Sequence, residues 1–253
     1  MIDLSKIREL ATKLSLMNLA RTLDSIKATD KEWKFLLRIL RTEQAIRDGN
    51  KENQLIKRAH FPFIKTIDEF DFTNQQSVSK WHADKLSEPS WIEKGYNVLV
   101  LGGAGTGKTH LAVALGLKAI DESKKVFYTT VNELLFCIKT QNDIKKSSAK
   151  LRYAEECDLL IIDELGYTPL DREEMLKLYG KMDSYNKKKS LVVITNRDFE
   201  GWAEIFHDEV IATTLLDRLI ENCQVLKLTG GSYRLRTHRN IFEIEIKKTL
   251  TQI

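Results

Sequence analysis

The chain has 253 residues, 42% of them hydrophobic and 30% charged, which is enough for one sizeable core and a small appended domain. Its three prolines argue against long disordered linkers, and no apolar run approaches the roughly 18 to 20 residues of a membrane span. Cys137, Cys157 and Cys223 are scattered, odd in number and without a Cys-x-x-Cys pair. They indicate neither a disulfide framework nor a zinc site, but thiols buried in a reducing cytoplasm. Met1-Ile2-Asp3-Leu4-Ser5 lacks the apolar core of a signal peptide, so a soluble cytoplasmic protein without membrane contact is expected.

The formal net charge of +4 is unevenly spread. The first quarter of the chain carries about +6 and the remainder about −2. Leu4, Ile7, Leu10, Ala11 and Leu14 sit at helical spacing, and the pattern restarts after Ser15 with Leu16, Leu19, Ala20, Leu23 and Ile26. Two short helices with a turn near Ser15 are predicted. Thr29-x-x-Glu32 has the form of a capping box opening a third helix, with Trp33, Leu36, Leu37 and Leu40 on its buried face. Its opposite face carries Lys34, Arg38, Arg41 and Arg47, and a further polar helix beyond Gly49, Lys51 to Ala59, adds Lys57 and Arg58. Residues 1–60 are therefore expected to form a helical domain with an apolar side and a basic side, the latter a footprint for a polyanion such as DNA.

Pro62 disfavours helix in the residue before it and marks a linker over 61–74. Phe70 and Phe72 are expected to anchor it on the domain that follows, residues 75–253. A helix is predicted from Gln75 to Glu93, then a buried strand, Asn97 to Leu101. Next comes Gly102-Gly103-Ala104-Gly105-Thr106-Gly107-Lys108-Thr109, followed by an amphipathic helix from His110. Strand, glycine loop and helix in this order form a phosphate-binding loop. The glycines let backbone N–H groups curl around a polyphosphate, and the helix N-terminus adds unsatisfied donors, with His110 counted in the site. Lys108 is placed for the β- and γ-phosphates of ATP, Thr109 for Mg²⁺.

Lys125 to Thr130 reads as a second strand. In Leu159-Leu160-Ile161-Ile162-Asp163-Glu164 a buried parallel strand ends in an acidic pair. Asp163 would hold Mg²⁺, directly or through water, and Glu164 would orient and deprotonate the attacking water. The strand Ser190 to Thr195 ends in Asn196, a residue able to bond the γ-phosphate or that water. Ile211 to Asn222 form a helix, and Gln224 to Leu228 a fifth strand. Alternating strands and helices with the phosphate loop after the first strand specify a three-layer α/β fold with a parallel five-stranded sheet.

The loop, Leu159 to Tyr167, and above all the segment from Trp202-Ala203-Glu204-Ile205-Phe206 through Leu215-Leu216-Asp217-Arg218-Leu219 to Ser232-Tyr233-Arg234-Leu235-Arg236 resemble the IstB proteins. These are AAA+ helper ATPases of insertion-sequence transposition, related to helicase loaders such as DnaC. The resemblance implies active sites between neighbouring subunits of a homo-oligomer, with Arg218 matching the finger that reaches the adjacent subunit's ATP. Arg234 or Arg236 matches the second sensor arginine, and the choice between them stays open. The loop has Gly103-Ala104 where the common form has two prolines, and only about 17 residues follow Arg236, too few for a full AAA+ helical lid. The implied function is an ATP-dependent protein of the bacterial nucleoid that assembles on duplex DNA, largely without sequence specificity, and recruits or stimulates a transposase. A DnaC-type helicase loader is the nearest alternative. A small-molecule kinase lacks support from an acceptor-binding lid, and intact Lys108, Asp163 and Glu164 argue against a non-hydrolysing scaffold.

Overall fold

The computed structural model describes residues 3–75, 77–167, 169–186, 188–198, 201–202 and 209–236. It contains two compact units, Met1–Leu55 and Ile56–Ile253.

The first unit is helical. Asp3 caps α1 (Leu4–Lys13) by accepting from the Ser5 N–H at 2.9 Å. The expected turn falls at Ser15, whose φ of 63° lies in the left-handed region. Then come α2 (Met17–Thr22) and α3 (Asp30–Ala59). The Thr29 N–H and hydroxyl both donate to Glu32 at 2.7 Å, and the Glu32 N–H points back to the Thr29 hydroxyl at 3.4 Å, so the capping box forms as its spacing predicts. Ile7, Leu14, Leu23, Trp33 and Leu40 make the core, with Leu36 and Leu37 against it. One expectation changes: α3 does not stop at Gly49 but runs 30 residues without interruption. A single glycine costs a helix only about 1 kcal/mol, and good helix formers on both sides outweigh it.

In the second unit, α4 (Lys80–Ser87) and α5 (Ser90–Glu93) replace the single helix predicted over Gln75 to Glu93. Pro89 forces Glu88 into extended backbone, with ψ of 103°. There follow β1 (Asn97–Gly102), α6 (Lys108–Asp121), β2 (Val126–Thr130), α7 (Val131–Thr140), α8 (Lys145–Glu156) and β3 (Leu159–Leu165). The chain continues through α9 (Arg172–Asn186), β4 (Ser190–Thr195), α10 (Glu209–Ile220), β5 (Cys223–Leu228) and the short α11 (Tyr233–Arg236).

The five strands form one parallel sheet in the order β2-β3-β4-β1-β5. Strand side chains alternate between faces. Leu99, Phe127, Leu160, Ile162 and Val193 join α7, α8, α9 and α10 in one core. Ile161, of opposite parity, meets α6 beside Gly116. Helices on both faces explain the unbroken apolar runs of β1, β3 and β4. The order puts β4 between β1 and β3, so the ends of β1, β3 and β4 converge at one edge of the sheet, where an α/β fold receives its ligand. Among the described residues no helix is long and apolar enough to cross a membrane.

Candidate active site

The turn after β1 carries the glycine-rich loop. Gly105 (φ +75°) and Gly107 (φ +97°) are both left-handed, and a side chain would fit at neither. A Cβ on Gly105 would lie 2.2 Å from the Ser232 Oγ, and one on Gly107 2.7 Å from the Phe70 ring. Gly107 is the N-cap of α6, so the free N–H groups of that helix open toward the loop. The Thr106 hydroxyl donates to the Gly103 carbonyl at 2.9 Å. The Lys108 ammonium donates to the Gly102 and Gly103 carbonyls at 2.8 and 2.7 Å. Burial lowers the Lys108 pKa, Asp163 opposes that shift, and the charge of Arg234 adds to it. An anion entering the loop would relieve the cost of holding this ammonium out of water.

The acidic side of the site is built on β3. Asp163 is buried, and its Oδ2 accepts from the Thr109 hydroxyl at 2.7 Å and the Tyr128 hydroxyl at 2.9 Å. Its Oδ1 accepts from the Glu164 N–H at 2.6 Å. Burial, and then Asp163 itself, push the Tyr128 phenol far up, so it stays a donor. Glu164 stands where the β3–β4 register slips between Ile162 and Leu165. Its φ is 65°, rare for a residue with a Cβ, and its side chain is exposed while those of Asp163 and Leu165 are buried. A bulge of this kind re-aims a side chain, and here it delivers Glu164 to the same cavity as Lys108 and Asp163.

That cavity, ≈ 490 Å³ in volume, is walled by the loop from Ala104 to Thr109 with His110, by Asp163 and Glu164, and by Thr195 and Asn196 at the end of β4. Arg234 and Arg236 of α11, the linker residues Phe70 and Asp71, and Gln75 close it. Linker and loop are in direct contact, since Phe70 packs on Gly107 and stacks edge-on with His110 at 5.2 Å. His110 Nε2 pairs with the Thr66 carbonyl at 2.8 Å. Arg236 is ion-paired to Asp71 and lies over the Tyr233 ring, 5.3 Å from its centroid. The Thr73 hydroxyl first, and then Arg236, hold the Asp71 carboxyl down at about 2. The glycine cradle fits a polyphosphate, and the adjacent Thr109 hydroxyl and Asp163 carboxylate are hard oxygen donors suited to Mg²⁺. Among the described residues no group of three or more His, Cys, Asp or Glu could hold a metal; an ion shared with phosphates needs none.

Residues 9–241 match the model of the IstB-like ATP binding protein family. The chain belongs to that family. It is 33% identical to the ATP-binding protein of insertion sequence IS21 from Pseudomonas aeruginosa, over 92% of this chain and 90% of that protein. It is 36% identical to the corresponding protein of insertion sequence IS5376 from Geobacillus stearothermophilus, over 81% of this chain and 82% of that one. In fold it is similar to the DnaC helicase loader (TM-score 0.51, 19% identity, 64% of this chain and 96% of that one). The same holds for AMPPCP-bound DnaA from Aquifex aeolicus (TM-score 0.54, 15% identity, 77% and 66%). The α/β core is thus an AAA+ fold of the P-loop class.

In this IstB-like chain the remaining candidates lie elsewhere. Arg218, on α10, does not line the cavity; it is exposed and ion-paired with Asp183 of α9. Its partner is thus a carboxylate 35 positions away in the chain rather than one on its own helix turn. In the first unit, Lys34, Arg38 and Arg41 are exposed, and Arg38 lies over the Phe35 ring. Arg47 is bonded to Glu43 and the Leu14 carbonyl at 2.7 and 3.0 Å, which ties α3 to the end of α1. Lys57 and Arg58 fall on the part of α3 that belongs to the second unit. The exposed side of α3 is also less purely basic than its charges suggest, because Phe35, Ile39 and Ile46 are exposed there. Sequence reasoning passes over Tyr128, Asp71 and Gln75, whose partners are distant in the chain.

Proposed function

We propose that the chain is a Mg²⁺-dependent ATPase that assists transposition of an insertion sequence in the bacterial cytoplasm, at the nucleoid. The observation that carries this reading is the hydrogen bond between Thr109 of the phosphate loop and Asp163 of β3, with Glu164 turned into the same cavity. Loop N–H groups and Lys108 hold the β- and γ-phosphates. Thr109 and Asp163 would hold Mg²⁺, which would offset the charge of the phosphate oxygens when bound. Glu164 takes a proton from water as the water oxygen bonds to the γ-phosphorus and the bond to the β-bridging oxygen breaks, giving ADP and phosphate. Asn196 orients that water. Arg236 is committed to Asp71, whereas Arg234 has no carboxylate partner among the described residues and its charge reaches Lys108. Arg234 is therefore the second sensor.

Arg218 completes the site of an adjacent subunit, so that ATP favours assembly and hydrolysis loosens it. The assembly binds duplex DNA through dispersed Lys and Arg, including Lys34, Arg38 and Arg41, with strong salt dependence and little sequence preference. It then recruits or stimulates the transposase. The relatives named for insertion sequences support this over helicase loading. Nucleotide binding and phosphate release test the chemistry. Lys108→Ala should abolish ATP binding. Glu164→Gln should keep ATP affinity within about threefold and cut hydrolysis by roughly a hundredfold or more. Native turnover in Glu164→Gln would remove Glu164 as the base.

A further inference from the structure

Gln75 follows the short turn Phe72–Asn74 and is 8% exposed. A buried primary amide must satisfy both its ends, and this one does so on two backbone segments far apart in the chain. Its Nε2 donates to the Thr106 carbonyl in the phosphate loop at 2.9 Å. Its Oε1 accepts from the Gly230 N–H at 3.2 Å. Gly230 opens the turn into α11, which carries Arg234. The same two segments meet again at the other end of that turn, where the Tyr233 N–H donates to the Gly105 carbonyl at 2.9 Å and Ser232 fills the space over Gly105. Ser232 in turn caps α11 through the Leu235 N–H at 3.3 Å. The four-residue α11 has no buried residue of its own to hold it in place. Its position therefore depends on these joints with the phosphate loop together with the Arg236–Asp71 pair.

We infer that Gln75 is a positioning residue that locks the Arg234-bearing turn to the phosphate loop, so that the γ-phosphate is read by an arginine whose place is set from the loop itself. This rests on the reading of the cavity as an ATP site with Arg234 as sensor. The two ends of the amide act together: the donor grips the loop and the acceptor grips the turn, and loss of either one parts the turn from the loop.

The test is titration of fluorescent ATP and ADP analogues against the native chain, Gln75→Met, Gln75→Glu, Arg234→Ala and the double variant Gln75→Met/Arg234→Ala, each checked for a native-like melting transition. Gln75→Met keeps the volume and removes both bonds; it should weaken ATP about tenfold and ADP no more than about threefold. Gln75→Glu keeps the acceptor for Gly230 but sets a carboxylate against the Thr106 carbonyl and so cuts the lock at the loop; ATP should again weaken more than ADP. In the Arg234→Ala background, Gln75→Met should cost no further ATP preference, because the group it places is gone. Equal loss of ATP and ADP in Gln75→Met, or full additivity with Arg234→Ala, would reduce Gln75 to a buttress and overturn the inference while leaving the ATP site standing. A native chain that binds neither nucleotide would instead overturn the reading beneath it, and the inference with it.

Discussion

Asp71 sits on the cavity wall with its carboxylate shared between the Thr73 hydroxyl and backbone N–H on one side and the Arg236 guanidinium on the other. Its folded pKa of about 2 is below the unfolded value of roughly 3.9, so folding favours the charged form. The stabilisation is complete above the unfolded value and disappears as pH falls through the folded one. Across pH 5 to 9 the Asp71–Arg236 pair should therefore be indifferent to pH. Asp71→Asn frees Arg236 at every pH, and its effect on ATP affinity, a loss of about two- to tenfold, should be the same at pH 6 and pH 8. A deficit confined to one of those values in isothermal titration would assign the pair's effect to another group. Residues like Asp71 and Gln75 mark where sequence reading stops. Lys108, Thr109, Asp163 and Glu164 are legible because a phosphate loop fixes the spacing of its own parts and a strand end announces its acidic pair. Asp71 and Arg236 are 165 positions apart, and nothing local marks either as the partner of the other. Arg234 and Arg236 look equivalent on the page for the same reason, and separate only once Asp71 claims one of them.

Elements were legible where periodicity and punctuation agree. The glycine loop between β1 and α6, the Thr29 capping box and the turn at Ser15 each carry a local chemical signal strong enough to fix a boundary. Pro89 is an equally clear stop, and giving it full weight separates α4 from α5. Gly49 is the opposite case: a glycine suggests an end there, but it lacks the left-handed backbone that ends a helix. α9 shows a third case: Met175, Leu178, Met182 and Tyr185 are its buried face, yet the stretch between β3 and β4 is charged enough to hide that stripe. Gly49 also offers a test. A Cβ there meets nothing within 4 Å, so Gly49→Ala should gain helix propensity at no steric cost, about 1 kcal/mol. Urea unfolding followed by circular dichroism should show a higher midpoint with an unchanged slope. A lower midpoint would mean that α3 needs a bend at Gly49.

At the scale of the whole molecule, the decisive fact is the position of β4 between β1 and β3. It sets the phosphate loop and the acidic strand one strand apart, with Asn196 at the end of the intervening strand on the wall of the same cavity. Arg218 does not line this cavity and is paired with Asp183. The Arg218 side chain is exposed and Asp183 is partly buried, and their variants separate two roles. If Arg218 serves the site of a neighbour, Arg218→Ala should keep ATP affinity within about threefold yet lose hydrolysis by roughly a thousandfold, whereas Asp183→Asn should remain active. Mixing two inactive variants makes the argument sharper. In an assembly, a Lys108→Ala subunit binds no ATP but still offers its Arg218, and an Arg218→Ala subunit binds ATP but offers nothing. Their mixture on random-sequence duplex should recover part of the native phosphate release, in particles whose mass requires ATP. A mixture that stays silent would deny that Arg218 acts on a neighbour's site, and if Arg218→Ala alone turns over at the native rate, the site is complete within one chain and the pair with Asp183 is all that Arg218 does.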